Sequence, residues 1–248
     1  MNAAPSIPAG NTLRLAGRLL ARDWRAGELT VLLTALLVAV TAMTGVAFLT
    51  DRVGQAVEMR AAESLAADLR LDSTRPISEN YTDLAAANGL HDARVTRMPS
   101  VVFAGETNTL SAVGAVTSGY PLRGRLKTSE RLLGEVQVTD AIPAPGEAWA
   151  APRLLARLGV DTGAEIEVGA ARLRVTRVLD FRPDEGWSFV DLAPTLLINE
   201  ADLAATELIQ PGSRVSYRAL FAGDRSEVDG FKSLLEGRLE DGERLRDI

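Results

Sequence analysis

The sequence contains no cysteine and a single histidine, His91, in 248 residues. The lack of cysteine excludes a disulfide scaffold, a thiol nucleophile and every cysteine-based zinc or iron–sulfur site, and one histidine cannot build a multi-histidine metal centre. The 27 Lys and Arg are outnumbered by 33 Asp and Glu, which gives a formal net charge of -6. A general nucleic-acid binder needs clustered basic residues, so this class is not expected either.

Recognisable catalytic and nucleotide-binding motifs are missing as well. No Gly-x-x-x-x-Gly-Lys-Ser/Thr phosphate loop occurs, and no serine lies in a Gly-x-Ser-x-Gly setting. The acidic pairs Asp184-Glu185 and Glu240-Asp241 lack the spacing of a calcium-binding loop and are interpreted as solvated loop and helix-end residues. His91 is expected at the surface, in a loop. We therefore predict no catalytic, cofactor-binding or metal site, and no enzyme activity.

One long apolar run departs from this ordinary composition. Residues Leu29 to Leu49 are 21 consecutive residues without a charge. As an α-helix the run would be about 31 Å long, close to the roughly 30 Å hydrocarbon thickness of a bilayer. A buried helix of a soluble protein seldom lacks a polar face over this length, and a cleaved signal peptide has a shorter apolar core than this one. Asp51 and Arg52 also follow at once, so we predict an uncleaved transmembrane helix at 29–49.

The basic residues indicate how this helix is oriented. Four arginines precede the run: Arg14, Arg18, Arg22 and Arg25. Together with two acidic residues they give residues 1–28 a net charge of +2. Because the whole chain has a net charge of -6 and the apolar run has none, residues 51–248 carry -8. The positive-inside rule then places residues 1–28 in the cytoplasm and residues 51–248 outside it. Residues 11–25 are predicted to form a basic amphipathic helix, which lies on the inner membrane surface or packs on another part of the protein.

The remaining residues, 51–248, predict an α+β body. The helix is expected to continue outward as a stalk to Ala67. Two strand–helix units then enclose a β-rich insertion, which forms a smaller lobe at about 146–195. Strands are predicted at 68–72, 93–104, 109–117, 165–168, 173–181, 195–198 and 213–222, and helices at 78–88, 149–158, 200–206 and 225–239.

A loop rich in aromatic residues is predicted within this insertion. Residues Arg182 to Phe189 combine turn formers with Trp187 and Phe189, and Phe181 precedes them. The aromatic tip of such a loop would contact lipid or a partner. A satellite hydrophobic cluster beneath the loop explains the same residues equally well, so both interpretations stay open.

Three segments of the body carry a resemblance to a known family. The first runs from a short predicted helix through Leu158-Gly159-x-x-x-Gly163 into a hairpin. The others are Leu192–Asn199 (LAPTLLIN) and Pro211–Tyr217 (PGSRVSY). With the single span they resemble the first part of a MacB/FtsX-like ABC transporter permease, in its YbbP-like branch, over nearly the whole chain.

The resemblance implies a fold, a function and partners. The expected fold is α+β, with a single N-terminal transmembrane helix followed by a periplasmic porter-like α+β lobe with an inserted β-rich smaller lobe. The implied protein is a permease of the bacterial inner membrane that moves or extracts lipids, lipoproteins or other hydrophobic molecules. A separate cytoplasmic ABC ATPase would drive it by mechanotransmission. Membrane lipid and a periplasmic partner or hydrophobic substrate are further expected contacts.

Two expectations qualify this interpretation. Family permeases carry at least four spans, so a chain with one span is expected to be a fragment or a truncated gene product. A single-pass extracytoplasmic sensor or adaptor is the alternative function. It would need an output module, yet only 28 residues lie on the predicted cytoplasmic side.

Overall fold

The computed structural model describes residues 27–184 and 193–247. The chain divides into two compact units, Met1–Val57 and Glu58–Ile248. One uninterrupted helix, α1 (Glu28–Leu65), contains a stretch, Thr30–Val53, that is long and apolar enough to cross a membrane and has no buried residue. The predicted span falls in this helix, whereas the predicted stalk, which runs to Ala67, extends two residues beyond its end. The predicted amphipathic segment at 11–25 lies outside the described residues.

The second unit is a mixed α+β body. Its elements follow in this order: β1 (Leu69–Ser73), α2 (Glu79–Ala87), β2 (His91–Ala104), β3 (Thr107–Val116), β4 (Leu126–Ser129), β5 (Gln137–Thr139), β6 (Glu147–Ala150), α3 (Pro152–Leu158), β7 (Glu165–Val168), β8 (Ala171–Phe181), β9 (Thr195–Asn199), a 3-10 turn (Glu200–Asp202), α4 (Leu203–Thr206), β10 (Ser216–Ala222), α5 (Arg225–Glu236) and β11 (Arg244–Asp247).

Two strand–helix–strand units form one end of the body. The first is β1-α2-β2 and the second is β10-α5-β11, and they interleave as an antiparallel sheet of order β11-β1-β10-β2. This is the split βαβ arrangement of ferredoxin-like domains. Both helices pack on the same face of this sheet, because their buried residues share one core with β1 and β10. The core there consists of Leu69, Leu71, Tyr81, Ala85, Leu90, Ala219, Phe221, Val228, Phe231 and Leu235.

The β-rich insertion between these units closes on itself. Strand β2 pairs with β3, and the pairing continues through β9, β6, β8 and β7 back to β2. These six strands therefore form a barrel, with β4 and β5 extending the sheet beyond β8. A closed barrel leaves no free edge among its own strands. Its core is filled by apolar side chains that include Val102, Val113, Leu154, Leu155, Ile166, Leu173, Val175, Leu196 and Ile198.

Several sequence predictions need correction. Trp149 lies in β6, and helix α3 begins only at Pro152, where the missing N–H of proline suits a first helical turn. The buried residues Ala148 to Ala150 do not alternate with polar ones, which hid this strand from a period-2 pattern. His91 is exposed as predicted, but it begins β2 and does not lie in a loop. The sequence patterns also missed β4, β5 and β11. The limits predicted for the smaller lobe, about 146–195, stay a prediction.

Candidate functional site: a buried ionic network and a clasp

Charged side chains occupy the face of the β11-β1-β10-β2 sheet that points away from α2 and α5. Successive strand residues point to opposite faces, so Leu69 and Leu71 enter the helix-side core while Arg70 and Asp72 lie on the other side. The register places Asp72 opposite Arg218 and Arg70 opposite Arg246. The strand pairing thus gathers three arginines around one aspartate.

Asp72 is the first of two carboxylates in this network. Its Oδ1 lies 3.1 Å from Arg70 Nε and 3.3 Å from Arg218 Nε, and its Oδ2 lies 3.1 Å from Arg246 Nε. Arg70 is only 7% exposed, so its ion pair with Asp72 contributes more to stability than an ordinary surface pair does. Three neighbouring strands, β1, β10 and β11, are therefore joined through a single carboxylate.

Asp184 is the second carboxylate and lies three residues after β8 ends. It is 4% exposed. The hydroxyl of Tyr120 donates a short hydrogen bond to its Oδ1, and Arg218 Nη1 lies 3.2 Å from its Oδ2. Arg182 Nη1 lies 3.6 Å from Oδ1. Arg218 contacts both aspartates, so the network links the chain leaving the barrel to the split βαβ sheet.

The surroundings of Asp184 set its charge. Burial would raise the pKa of its carboxyl, but the guanidinium groups of Arg182, Arg97 and Arg218 and the hydrogen bond from Tyr120 outweigh burial and lower the pKa to about 2. Burial and the charge of Asp184 together raise the pKa of Tyr120 well above its usual value. At neutral pH the aspartate is therefore ionised and the phenol protonated. Such a pair is a fixed structural charge and not a proton donor or acceptor.

This position corrects the sequence prediction that Asp184 is a solvated loop residue. The sequence carried one usable signal: Arg70 lies between Leu69 and Leu71, and Arg218 between Tyr217 and Ala219, in predicted strands. Buried arginines require carboxylate partners. The pairing could not be assigned, because Asp184 is 64 residues from its hydrogen-bond partner Tyr120. Glu240 and Asp241 are exposed as predicted, whereas Trp187 and Phe189 lie outside the described residues.

A second ionic contact, which we name the clasp, lies where the body begins after α1. Arg123 donates from Nε to Asp68 Oδ1 at 2.8 Å and from Nη2 to Asp68 Oδ2 at 2.6 Å. Asp68 Oδ2 also accepts from the N–H of Gly223 at 3.1 Å. The N–H of Arg123 donates to the carbonyl of Ala66 at 3.0 Å. The bidentate geometry fixes the distance and the relative orientation of the Arg123 and Asp68 side chains. The chain segment after α1 is therefore held against the segment that contains Arg123 and the segment that contains Gly223.

A groove of about 410 Å³ lies beside the clasp. His91, Asp92 and Arg123 contribute the polar part of its lining, and Leu90 and Leu122 contribute the apolar part. Burial raises the pKa of Asp92 from its ordinary value, against the opposing charges of Arg94 and His91. Within residues 27–184 and 193–247, no three His, Asp or Glu side chains are grouped so that they could hold a metal ion.

Comparison with known proteins supports the family resemblance. The chain is 33% identical over 223 residues to the ABC transporter permease YbbP of Escherichia coli (strain K12), which covers 90% of this chain and 27% of that protein. Its structure is similar to the periplasmic region of MacB from Actinobacillus actinomycetemcomitans, with 11% identity, a TM-score of 0.49 and coverage of 75% of this chain and 91% of that one. The extracellular domain of the noncanonic ABC-type transporter YknZ from Gram-positive bacteria gives 8% identity and a TM-score of 0.48, covering 72% of this chain and 100% of that one. No protein-family model matches.

An N-terminal apolar helix that is long enough to cross a membrane is followed by a mixed α+β body, so the fold class predicted from the sequence is confirmed. By sequence the chain is similar to the ABC transporter permease YbbP over nearly its whole length, in agreement with the resemblance that its motifs carry. It spans about a quarter of the length of that relative, 27%.

Proposed function

We propose that this chain is part of the permease subunit of an inner-membrane ABC transporter, which moves or extracts lipids, lipoproteins or other hydrophobic molecules. A separate cytoplasmic ATPase drives it by mechanotransmission: the spanning helices move and the domain outside the cytoplasm moves with them. The observation that carries the proposal is the 33% identity to an ABC transporter permease over 90% of the chain. No catalytic role is assigned to the body.

The clasp supports a mechanical role. Helix α1 is continuous from Glu28 to Leu65, and the next residues, Ala66 and Ala67, are fully buried. Asp68 is then hydrogen-bonded to the β3–β4 segment through Arg123 and to the β10–α5 turn through Gly223. A displacement of Ala66 is therefore passed to both segments through short charge-assisted hydrogen bonds. The ionic network adds a further connection, because Asp184 stays ionised near neutral pH and contacts Arg218 of β10.

An exposed apolar patch supports a hydrophobic substrate. On the β2–β3 hairpin, Val101 and Phe103 are each 40% exposed and Leu110 is 52% exposed. Val101 lies directly opposite Leu110 in the register, and Phe103 is two residues further along the same strand, so all three point to one side of the hairpin. Contiguous exposed apolar side chains are typical of surfaces that bind apolar ligands or partners.

We further propose that residues 1–28 are cytoplasmic and that the body lies outside the cytoplasm, as the arginine asymmetry predicts. A cytoplasmic ABC ATPase subunit is then the partner on the inner side, and membrane lipid surrounds the stretch Thr30–Val53.

The test uses the full-length permease, tagged and expressed with the ABC ATPase subunits of the same organism. The expected result is co-purification of the ATPase in mild detergent. A reporter that is active only outside the cytoplasm should give signal when fused after Arg60 and none when fused after Arg14, which serves as the matched control. A folded permease that never retains the ATPase would contradict the proposal and favour a sensor or adaptor.

A further inference from the structure

Two exposed arginines, Arg244 and Arg246, lie on β11 at one end of the β11-β1-β10-β2 sheet. Leu245, between them, packs against the core on the helix side of the sheet. Successive strand residues point to opposite faces, so both arginines point to the other face, which also carries Arg70 and Asp72. The Cα atoms of Arg244 and Arg246 are about 7 Å apart along the strand. Two guanidinium groups therefore stand side by side on one face.

Asp72, which faces these arginines from β1, is already shared among three other contacts. Its Oδ1 contacts Arg70 and Arg218, and its Oδ2 contacts Arg246. Arg244 lies directly opposite Asp72 in the register. Its side chain nevertheless forms no ion pair or hydrogen bond with any residue within 27–184 or 193–247. One carboxylate thus faces four guanidinium groups.

Other acidic residues near β1 and β11 do not remove this excess of positive charge. Three of them are held by a cation of another segment: Asp68 by Arg123, Asp184 by Arg218 and Asp247 by Lys232. Glu240 and Glu243 act on the hydroxyl of Tyr81, on the helix side of the sheet. Asp241, in the turn before β11, is exposed and forms no ion pair with the arginines in the described part of the chain. The arginine side of the sheet therefore stays positive.

The electrostatics of Arg218 reflect the same excess. Burial lowers the pKa of its guanidinium group, and the charges of Arg70 and Arg182 lower it further, against the opposing charges of Asp184 and Asp72. Residues 51–248 as a whole carry a net charge of -8. A long polyanion is repelled by such a body, whereas a small anion is attracted where the local potential is positive. The surface is thus suited to a small anion.

The donors available on this surface indicate which anion fits. Arg246 is 58% exposed, and its only contact with a carboxylate of the described residues is made by Nε, so its terminal N–H groups face solvent. All the guanidinium N–H groups of Arg244 are available as well. Adjacent guanidinium groups match a phosphate group, which has several acceptor oxygens and up to two negative charges, better than a single carboxylate, which one guanidinium group satisfies.

We propose that Arg244 and Arg246 form a binding site for a phosphate group, either free phosphate or the phosphate of a lipid head group. Arg70 and Arg218 hold Asp72 from behind, and Asp72 in turn orients Arg246. A second copy of the chain is not the expected occupant, because a two-fold contact would place the same arginines against each other. The site is separate from the β2–β3 patch, and it does not depend on the permease assignment.

The test measures the melting temperature of the purified chain in mild detergent while inorganic phosphate is added, with sodium chloride of equal ionic strength as the reference. Phosphate should raise the melting temperature in a saturable way, which gives its dissociation constant. Arg244→Gln should weaken phosphate binding about tenfold or more, and Arg244→Lys, which keeps the charge but loses the planar fork, about threefold or more. Arg157→Gln is the matched control. Arg157 is an exposed arginine of α3 without an ion pair in the described residues, so phosphate affinity should not change.

The melting temperature in chloride alone separates a binding role from a structural one. Arg244 has no side-chain partner to lose in the described part of the chain, and its removal reduces the repulsion among the arginines. Arg244→Gln should therefore melt at the same temperature as the wild type or higher in chloride. A lower melting temperature of this variant in chloride would contradict the charge excess on which the site depends.

Two further probes identify the source of the phosphate group. They are dioctanoyl phosphatidic acid and its uncharged counterpart, dioctanoylglycerol, in the same detergent. If phosphatidic acid stabilises the wild type more than phosphate does, and Arg244→Gln loses this gain, the site takes a lipid head group; equal or smaller stabilisation indicates free phosphate.

Three results would overturn the proposal. The first is that neither phosphate nor phosphatidic acid stabilises the chain more than chloride and dioctanoylglycerol do. The second is that succinate, a dicarboxylate, stabilises it as much as phosphate. The third is that Arg244→Gln and Arg157→Gln bind phosphate equally well. None of these results bears on co-purification with the ATPase, so failure of the phosphate site and failure of the permease assignment are distinguishable.

Discussion

Replacing Asp184 by Asn tests whether the buried network holds the body together. The substitution keeps the size of the side chain and removes its charge. Tyr120 keeps an acceptor, but Arg218 Nη1, 3.2 Å from Oδ2 in the wild type, loses its carboxylate partner on that side. Arg182, which is 1% exposed, loses the same charge. Buried guanidinium groups would thus remain without their central anion.

The loss of stability expected for Asp184→Asn can be estimated in two ways. The pKa of Asp184 falls from 3.8 to about 2 on folding. This shift corresponds to about 2 kcal/mol of stability contributed by the ionised form. Removing one partner of a buried ion pair typically costs about 3 to 5 kcal/mol, because the other charge stays buried. We therefore expect Asp184→Asn to lower the free energy of unfolding by about 2 to 5 kcal/mol.

The measurement is urea unfolding of the purified chain in mild detergent, followed by tryptophan fluorescence, because Trp149 is 2% exposed and lies in the core next to Tyr120. Asp140→Asn is the matched control. Asp140 is also paired with an arginine, with Oδ1 3.4 Å from Arg125 Nε, but its side chain is 76% exposed. Surface pairs contribute little, so the control should change stability by less than about 0.5 kcal/mol.

The pH dependence provides an independent check. The folded pKa of Asp184 lies below its unfolded value, so its contribution is complete above about pH 4 and is lost as the pH falls towards 2. The wild type should lose more stability than Asp184→Asn across this range. Equal stability of Asp184→Asn and Asp140→Asn at pH 7, or identical acid profiles of wild type and Asp184→Asn, would refute this account of the network.

Two further predictions concern other parts of the body. Gly169→Ala should lower the free energy of unfolding by about 3 kcal/mol or more, because the new Cβ would lie 1.9 Å from the carbonyl oxygen of Thr206. Gly146 also has a positive φ but has open space around it, so Gly146→Ala should lower the free energy of unfolding by only about 1 kcal/mol in the same urea assay. Burial and Glu243 raise the pKa of the Tyr81 hydroxyl to about 12. The protonated hydroxyl therefore contributes fully to folding stability below pH 10, and this contribution is lost as the pH rises towards 12. Tyr81→Phe should therefore be less stable than the wild type by about 1 kcal/mol at pH 8, and a difference that does not shrink above pH 10 would contradict this reasoning.

Local patterns account for the elements that the sequence predicted correctly. Helix α2 begins after Ser78, whose hydroxyl accepts from the N–H of Asn80, and α5 begins with a capping box of Asp224 and Glu227. The hairpin of β7 and β8 alternates buried and exposed residues around Gly169. Each of these signals lies within a few residues of the element it defines.

Elements without such local signals were missed. Strand β6 is buried along three successive residues, and β11 (RLRD) exposes nearly all of its side chains, so neither shows a period of two apolar and polar positions. Their strand state comes from the neighbours with which they pair: β11 with β1, and β6 with β8 and β9. Such pairing is decided by tertiary packing, and propensity is a weak guide to it.

The sequence by itself determined the apolar helix, the charge asymmetry on its two sides and the two strand–helix units, because these are properties of contiguous residues. It also carried the family resemblance. Only the tertiary structure decided that β7 closes the barrel onto β2, that Asp184 is buried among arginines, and that Leu133 is in water while Leu132 packs on the core. In the first two cases the contacting residues are far apart in sequence, and in the third two adjacent leucines have different surroundings. Each outcome therefore depends on which long-range contacts form when the chain packs.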